Sequence, residues 1–238
     1  MTVTYNEINK MLIAYNAKKS NYKFIIDWSP KSGCTTICKM IFDYMDELEK
    51  ALKFDKWIHN SRDKYYQKYG RVNTNILLNN EFIKIKFVRN PYSRVVSSYL
   101  HVMKNDKFRK IFVNKDMSFY TFLLNIEKQN YPSNPHYNLQ MLRSEKINTF
   151  DHIIKIEDLD NGIKNLNKLY NLNLNHSFTS RHHIIKHDVN INVGYTKYSN
   201  ILKIPHYKYF YDDEKIKDLV EKIYKQDIIT YNYTYNDF

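Results

Sequence analysis

Phe24-Ile25-Ile26-Asp27-Trp28-Ser29-Pro30-Lys31-Ser32-Gly33-Cys34-Thr35-Thr36 reads as an apolar strand, a tight turn with one Lys and one Gly, and paired threonines that open an amphipathic helix. A strand that feeds a helix N-terminus through such a turn is an anion site, because the unpaired N–H groups and the helix dipole favour negative charge there. Ser32, Thr35 and Thr36 add hydroxyl donors, and Lys31 adds a mobile cation. A nucleoside-triphosphate loop of the GxxxxGK[ST] type carries its Lys directly after the last Gly. Here Lys31 precedes Gly33 and no Lys follows it, so a P-loop kinase is the weakest of the readings.

Outward from this stretch the pattern alternates. Ile8, Met11, Leu12 and Tyr15 have helical spacing and predict a short helix over 5–17, followed by a strand over 22–28. Ile37, Met40, Ile41, Tyr44, Leu48 and Leu52 predict one helix from Thr35 to Leu52. Trp57-Ile58-His59 reads as a second short strand, 61–69 as a polar helical excursion and 70–80 as a loop. Glu81 to Val88 is a strand with Ile83, Ile85 and Phe87 on one face, and it runs into Arg89-Asn90-Pro91 and a helix from Tyr92. Helical pieces follow between 108 and 130, a loop at 131–135, a strand at 150–156 and a helix at 160–170. The 171–200 segment lacks periodicity, and the last helix starts at Asp212 or Asp213. Successive strand–turn–helix units imply parallel strands. The expected class is α/β, a P-loop-like three-layer fold with a central parallel sheet flanked by helices.

At 238 residues the chain reads as one domain, 1–238. A hydrophobic share of 43% supports a substantial core, and few Gly and Pro argue against long disordered tracts. The formal charge of +12 favours anionic partners, although abundant Lys, Asn, Ile and Tyr together also match an A/T-rich coding sequence. Only seven residues are Arg, which makes each worth locating. Cys34 and Cys38, four apart on one helix, suit neither a disulfide framework nor a four-ligand zinc site, and no metal is expected. No stretch is long and apolar enough for a signal core or a membrane span, so the expected setting is soluble and cytoplasmic, with no membrane partner.

Two motifs taken together, Pro30-Lys31-Ser32-Gly33-Cys34-Thr35-Thr36 and Arg89-Asn90-Pro91-Tyr92-Ser93-Arg94-Val95-Val96-Ser97-Ser98-Tyr99, resemble those of sulfotransferases that use 3′-phosphoadenosine 5′-phosphosulfate. The carbohydrate branch of that family is the most similar, with weaker likeness at His136–Gln140, Phe150–Leu159 and Ile223–Asp227. The resemblance implies that Lys31, Ser32, Gly33, Cys34, Thr35 and Thr36 hold the 5′-phosphosulfate, and that Arg89 and Ser97 hold the 3′-phosphate, with Arg94 bracing the loop. It implies transfer of a sulfuryl group to an acceptor hydroxyl, of a glycan or another hydroxyl-bearing substrate, with no metal. Lys31 would also be catalytic, charging the leaving oxygen. The general base is His59 or His136, and Arg181 is a candidate to cover the nucleotide. Cys34 reads as a small packed residue rather than a nucleophile. The competing class is a basic nucleic-acid-binding module that stacks bases on its many Tyr, but no such motif is present and the Lys are scattered.

Overall fold

The computed structural model describes residues 11–69, 74–106, 116–128, 133–146, 148–178, 190–211 and 213–237. The strands are β1 (Leu12–Ala14), β2 (Lys23–Trp28), β3 (Phe82–Val88) and β4 (His152–Lys155). The described helices are α1 (Cys34–Tyr44), α2 (Leu48–Phe54), α3 (Ile58–Tyr69), α4 (Pro91–Lys104), α5 (Phe119–Glu127), α6 (Leu159–Tyr170) and α7 (Glu214–Thr230). The sheet order is β1-β2-β3-β4, with β1 antiparallel to β2, and β2, β3 and β4 parallel. The protein is therefore α/β with a mixed four-stranded sheet. Among the described residues no helix is long and apolar enough to cross a membrane. Two compact units arise, one from the described parts of 6–89 and 142–181, the other from those of 90–141 and 182–238.

The first unit holds the sheet. Phe24, Ile26 and Trp28 of β2 pack with Ile85 and Phe87 of β3 against Ile37, Met40 and Ile41 of α1 and Ile163 and Leu166 of α6. Each such side chain, fully buried, contributes roughly 1.5–3 kcal/mol. Gly162 lets α6 lie directly on β4, since a Cβ there would meet Ile154 Cγ2 at 2.5 Å. Ile25 faces the opposite side of the sheet, in a smaller cluster with Met11, Leu77, Leu142 and Phe150.

Three sequence expectations are corrected here. The described part of 5–17 holds the strand Leu12–Ala14 and no helix: Met-Leu-Ile-Ala is an apolar run whose alternate residues serve both sheet faces, and β1 supplies the β2 edge with a partner. The expected helix to Leu52 breaks after Tyr44, where Asp46 adopts φ 59° and the Asn16 side chain donates to the Tyr44 carbonyl (2.9 Å) and to Asp46 (2.7 Å). Trp57-Ile58-His59 is no strand. Asp55 accepts from Trp57 N at 2.7 Å and from Asn60 Nδ2 at 2.6 Å, and α3 begins at Ile58. Its inward stripe is Ile58, Ser61, Arg62, Tyr65 and Tyr66, helical in period but polar in part.

β3 also carries two lysines on the face away from α1, and both are buried. Lys86 is fully enclosed, paired with Glu145 and lying 3.3 Å from Asp27, its register partner on β2, with its Nζ 4.9 Å from the Phe150 ring centre. Two carboxylates share one ammonium out of water. Burial raises the Asp27 carboxyl above its ordinary range, Lys86 opposes that shift, and Glu145 adds to it. Taking away the ammonium would leave two buried carboxylates uncompensated, and breaking a buried pair in that way typically costs about 3–5 kcal/mol.

The second unit is helical. Asn90 caps α4 by accepting from Tyr92 N at 2.9 Å, with Pro91 in the first turn, and Asp213 caps α7 through Ile216 N at 3.3 Å. Its core gathers Val95, Val96, Tyr99, Phe119, Phe122, Leu123, Phe210 and Tyr224. Segment 135–141 is tied down from two sides. Arg94, wholly buried, donates to the Asn138 and Pro135 carbonyls at 2.8 and 3.1 Å, and Asp227 accepts from Gln140 N and Met141 N at 2.8 and 2.9 Å.

The raised Asp27 carboxyl fixes the sign of a pH effect. A carboxyl whose folded value lies above its unfolded one contributes stability that is full below the unfolded value and lost as pH rises through the folded one. The melting-temperature advantage of the wild type over Asp27→Asn is therefore largest in acid and shrinks as pH rises. Thermal melts of both proteins across an acid-to-neutral series check this, and an advantage that grows with pH contradicts it.

Candidate functional site

The turn between β2 and α1 is built from two left-handed residues, Lys31 (φ 71°) and Gly33 (φ 75°), on either side of the buried Ser32. Ser32 N closes the turn onto the Ser29 carbonyl at 3.2 Å, and Cys34 Sγ lies 3.5 Å from that same oxygen. Gly33 is the N-cap of α1 and has no side chain to give, so the first-turn N–H groups present themselves to an external acceptor. A Cβ at Gly33 would meet Ile156 Cδ1 at 2.9 Å, so glycine answers both the left-handed φ and the close approach of the segment after β4. Successive N–H groups in such a turn form an anion-binding concavity.

Arg89, in the first residue after β3, donates from Nη1 to the Lys31 carbonyl at 2.9 Å. Residues 58 positions apart thus meet because β2 and β3 are parallel neighbours that end together, Trp28 beside Phe87. The carbonyl that a left-handed Lys turns outward receives a fixed cationic donor.

His59 lies in the first turn of α3, with Nε2 3.2 Å from Thr35 Oγ1 and Nδ1 3.1 Å from Arg62 Nη1. A guanidinium carries only donors, so Nδ1 accepts, and the proton of the neutral ring sits on Nε2 facing Thr35. Thr35 accepts that proton and has its own hydroxyl hydrogen to direct elsewhere. Arg62 is anchored in turn by Asp63, from Nε at 3.0 Å and Nη2 at 2.7 Å. Thr36 spends its hydroxyl differently, donating to the Phe178 carbonyl at 2.9 Å.

Lys31, Ser32, Gly33, Cys34, Thr35, Thr36, His59 and Arg89 all belong to the first unit, while Ser97 and His136 belong to the second. Ser97 is buried on α4. His136 Nδ1 is 2.8 Å from Asn134 Oδ1, which also accepts from the His136 backbone N–H at 3.0 Å, so Nδ1 is the donor and Nε2 keeps its lone pair. Its ring stacks on His101 at 4.7 Å. Arg94 grips the 135–138 backbone. Arg181 lies outside the described residues. Two site residues escaped the sequence reading: Arg62, and Phe178 as the anchor of Thr36. Arg62 was findable, as one of few Arg and three residues after His59, had 57–69 been read as one helix.

A family model described as Sulfotransferase family matches residues 18–234 of the chain. No curated protein and no solved structure matches it.

Two outcomes test this geometry. Gly33→Ala forces a side chain into a left-handed, crowded position and lowers stability by about 1–3 kcal/mol in urea titration; an unchanged midpoint contradicts the turn as described. Long-range ¹⁵N–¹H spectra of the neutral imidazoles give His59 as the Nε2–H tautomer and His136 as Nδ1–H, and the reverse pattern would overturn the donor directions.

Proposed function

The chain belongs to the sulfotransferase family, and on that premise we propose that it transfers the sulfuryl group of 3′-phosphoadenosine 5′-phosphosulfate to a hydroxyl of a carbohydrate. Sulfuryl transfer is the chemistry of the family; the donor and the glycan acceptor are our reading. The observation that carries it is the Arg89–Lys31 hydrogen bond, which brings two phosphate-type motifs together at the ends of adjacent parallel strands. We take 1–238 to act as one P-loop-like sulfotransferase domain. Its two cysteines, neither in a disulfide, accord with a cytoplasmic setting.

In this reading the N–H groups of Gly33 to Thr35 and the hydroxyls of Ser32 and Thr35 hold the 5′-phosphosulfate. The acceptor oxygen forms its bond to sulfur as the bond from sulfur to the 5′-phosphate oxygen breaks, in line, and the products are the sulfated acceptor and adenosine 3′,5′-bisphosphate. Lys31 supplies positive charge where it accumulates on the departing phosphate, a placement effect of the kind that dominates group transfer between oxyanions. Arg89 serves the 3′-phosphate, and its share, like those of Ser97 and Arg181, rests on the motif and on sequence position. The acceptor proton must go to a base. His59 faces Thr35 as a donor, so we assign it to orienting that hydroxyl. We assign the role of base to His136 on the motif resemblance.

Adenosine 3′,5′-bisphosphate is expected to raise the melting temperature, and ATP with magnesium to leave it unmoved; equal shifts with both, or none with either, refute the donor assignment. Lys31→Ala is expected to slow transfer of labelled sulfuryl to a glycan by about two to three orders of magnitude while the bisphosphate still shifts the melt. A normal rate removes Lys31 from the chemistry.

A further inference from the structure

Trp57 stands at an unusual place for an indole. It is 39% exposed, whereas the other tryptophan, Trp28, is buried at 1%. Its ring centre is 4.6 Å from that of His59, and His59 in turn reaches Thr35 in the anion-binding turn. The backbone that carries the indole is fixed. Asp55 accepts from its backbone N–H and from Asn60, which fixes the entry into α3 and with it the Trp57 backbone.

The chain around it has a matching chemistry. Phe54, three residues earlier, is 53% exposed and carries Lys64 Nζ 3.9 Å over its ring. Five basic and two acidic side chains lie between 53 and 68. Both acids are committed within the segment, Asp55 to the turn and Asp63 to Arg62, while Lys53, Lys56 and Lys64 are exposed. An exposed aromatic next to His59, on a stretch of chain with an excess of exposed lysines, fits a ligand with one flat apolar face and a negatively charged rim. A pyranose ring of an acidic oligosaccharide has that form, with its axial C–H groups making the face and its carboxylate the rim.

From this placement we infer that Trp57 is the platform on which the acceptor sugar stacks, with Lys53, Lys56 and Lys64 reading the acidic groups of the same chain. The inference rests on the sulfuryl-transfer reading above and names the acceptor side of that site. Stacking orients the ring and leaves one hydroxyl directed past His59, so Trp57 is a binding and specificity residue, not a base.

The test uses the full chain and probes of known composition: unsulfated chondroitin and heparosan hexasaccharides, neutral maltohexaose, and 2-naphthol. Since Trp28 is buried, acrylamide quenching of the exposed indole reports Trp57. An acidic hexasaccharide is expected to protect Trp57 from quenching, and maltohexaose to do so more weakly. By calorimetry Trp57→Ala weakens hexasaccharide binding about tenfold and Trp57→Phe much less. In both variants the melting shift with adenosine 3′,5′-bisphosphate stays as in the wild type, which shows the fold and the nucleotide turn intact. Hexasaccharide affinity that Trp57→Ala leaves unchanged would overturn the inference, as would protection by naphthol alone or no protection by any sugar. Failure of the bisphosphate shift in the wild type, with sugar protection retained, would instead count against the donor assignment and uphold the sugar platform.

Discussion

Everything near the turn depends on one contact, the guanidinium of Arg89 against the carbonyl of Lys31. Lys31 is a non-glycine residue in the left-handed region, a conformation that costs free energy and persists only when its surroundings impose it. Left-handed φ at Lys31 and Gly33 turns carbonyls to one side and N–H groups to the other. A carbonyl exposed in that way needs a donor, and a charged, planar one at the end of the neighbouring strand makes a strong partner. The register of β2 on β3 is therefore a functional quantity: a slip of one residue would withdraw Arg89 and leave the turn without its brace.

Donor direction organises the opposite side of the turn. The order runs Asp63 to Arg62 to His59 to Thr35, each link fixed by a group that can act in only one sense. Its outcome is a threonine hydroxyl whose hydrogen is available for an anion, and a histidine that cannot take a proton through the nitrogen nearest the turn while Arg62 holds the other. Thr36, one residue on, has its hydrogen committed to Phe178 and so contributes to the 171–178 segment rather than to the anion. Adjacent residues of one type in one motif thus do different work, and only the structure distinguishes them.

Much of this was legible in the chain. The β2–turn–α1 unit, the β3–α4 unit and β4 with α6 follow from apolar period and from the positions of Gly33 and Pro91. What was not legible has physical causes. Met11–Ala14 is a short apolar run, and periodicity cannot separate strand from helix at that length. α3 hid behind its own buried stripe, because Ser61 and Arg62 occupy inward positions that a hydrophobic pattern counts as surface. Lys84 and Lys86 alternate with Ile83, Ile85 and Phe87, a pattern that does not show their burial, and Glu145 and Phe150 come against Lys86 from a segment distant in sequence. The sequence favoured His59 over His136 as the base only slightly, because periodicity does not say that Arg62 faces His59 Nδ1 or that Asn134 faces His136 Nδ1.

The basic residues themselves divide into two populations. Most lysines lie at the surface, where the charge they confer needs no fixed geometry. The arginines Arg62, Arg89 and Arg94 are each directed at particular acceptors: a carboxylate and an imidazole, one carbonyl, and two carbonyls. A lysine cannot replace Arg62 or Arg94, because one ammonium on a flexible stem does not hold two acceptors in a plane. In a chain whose composition leans toward Lys, an Arg kept at such a position marks a place where direction matters and charge alone would not serve. That criterion separates Arg89 and Arg62, which shape the anion turn, from Arg94, which shapes the backbone around His136.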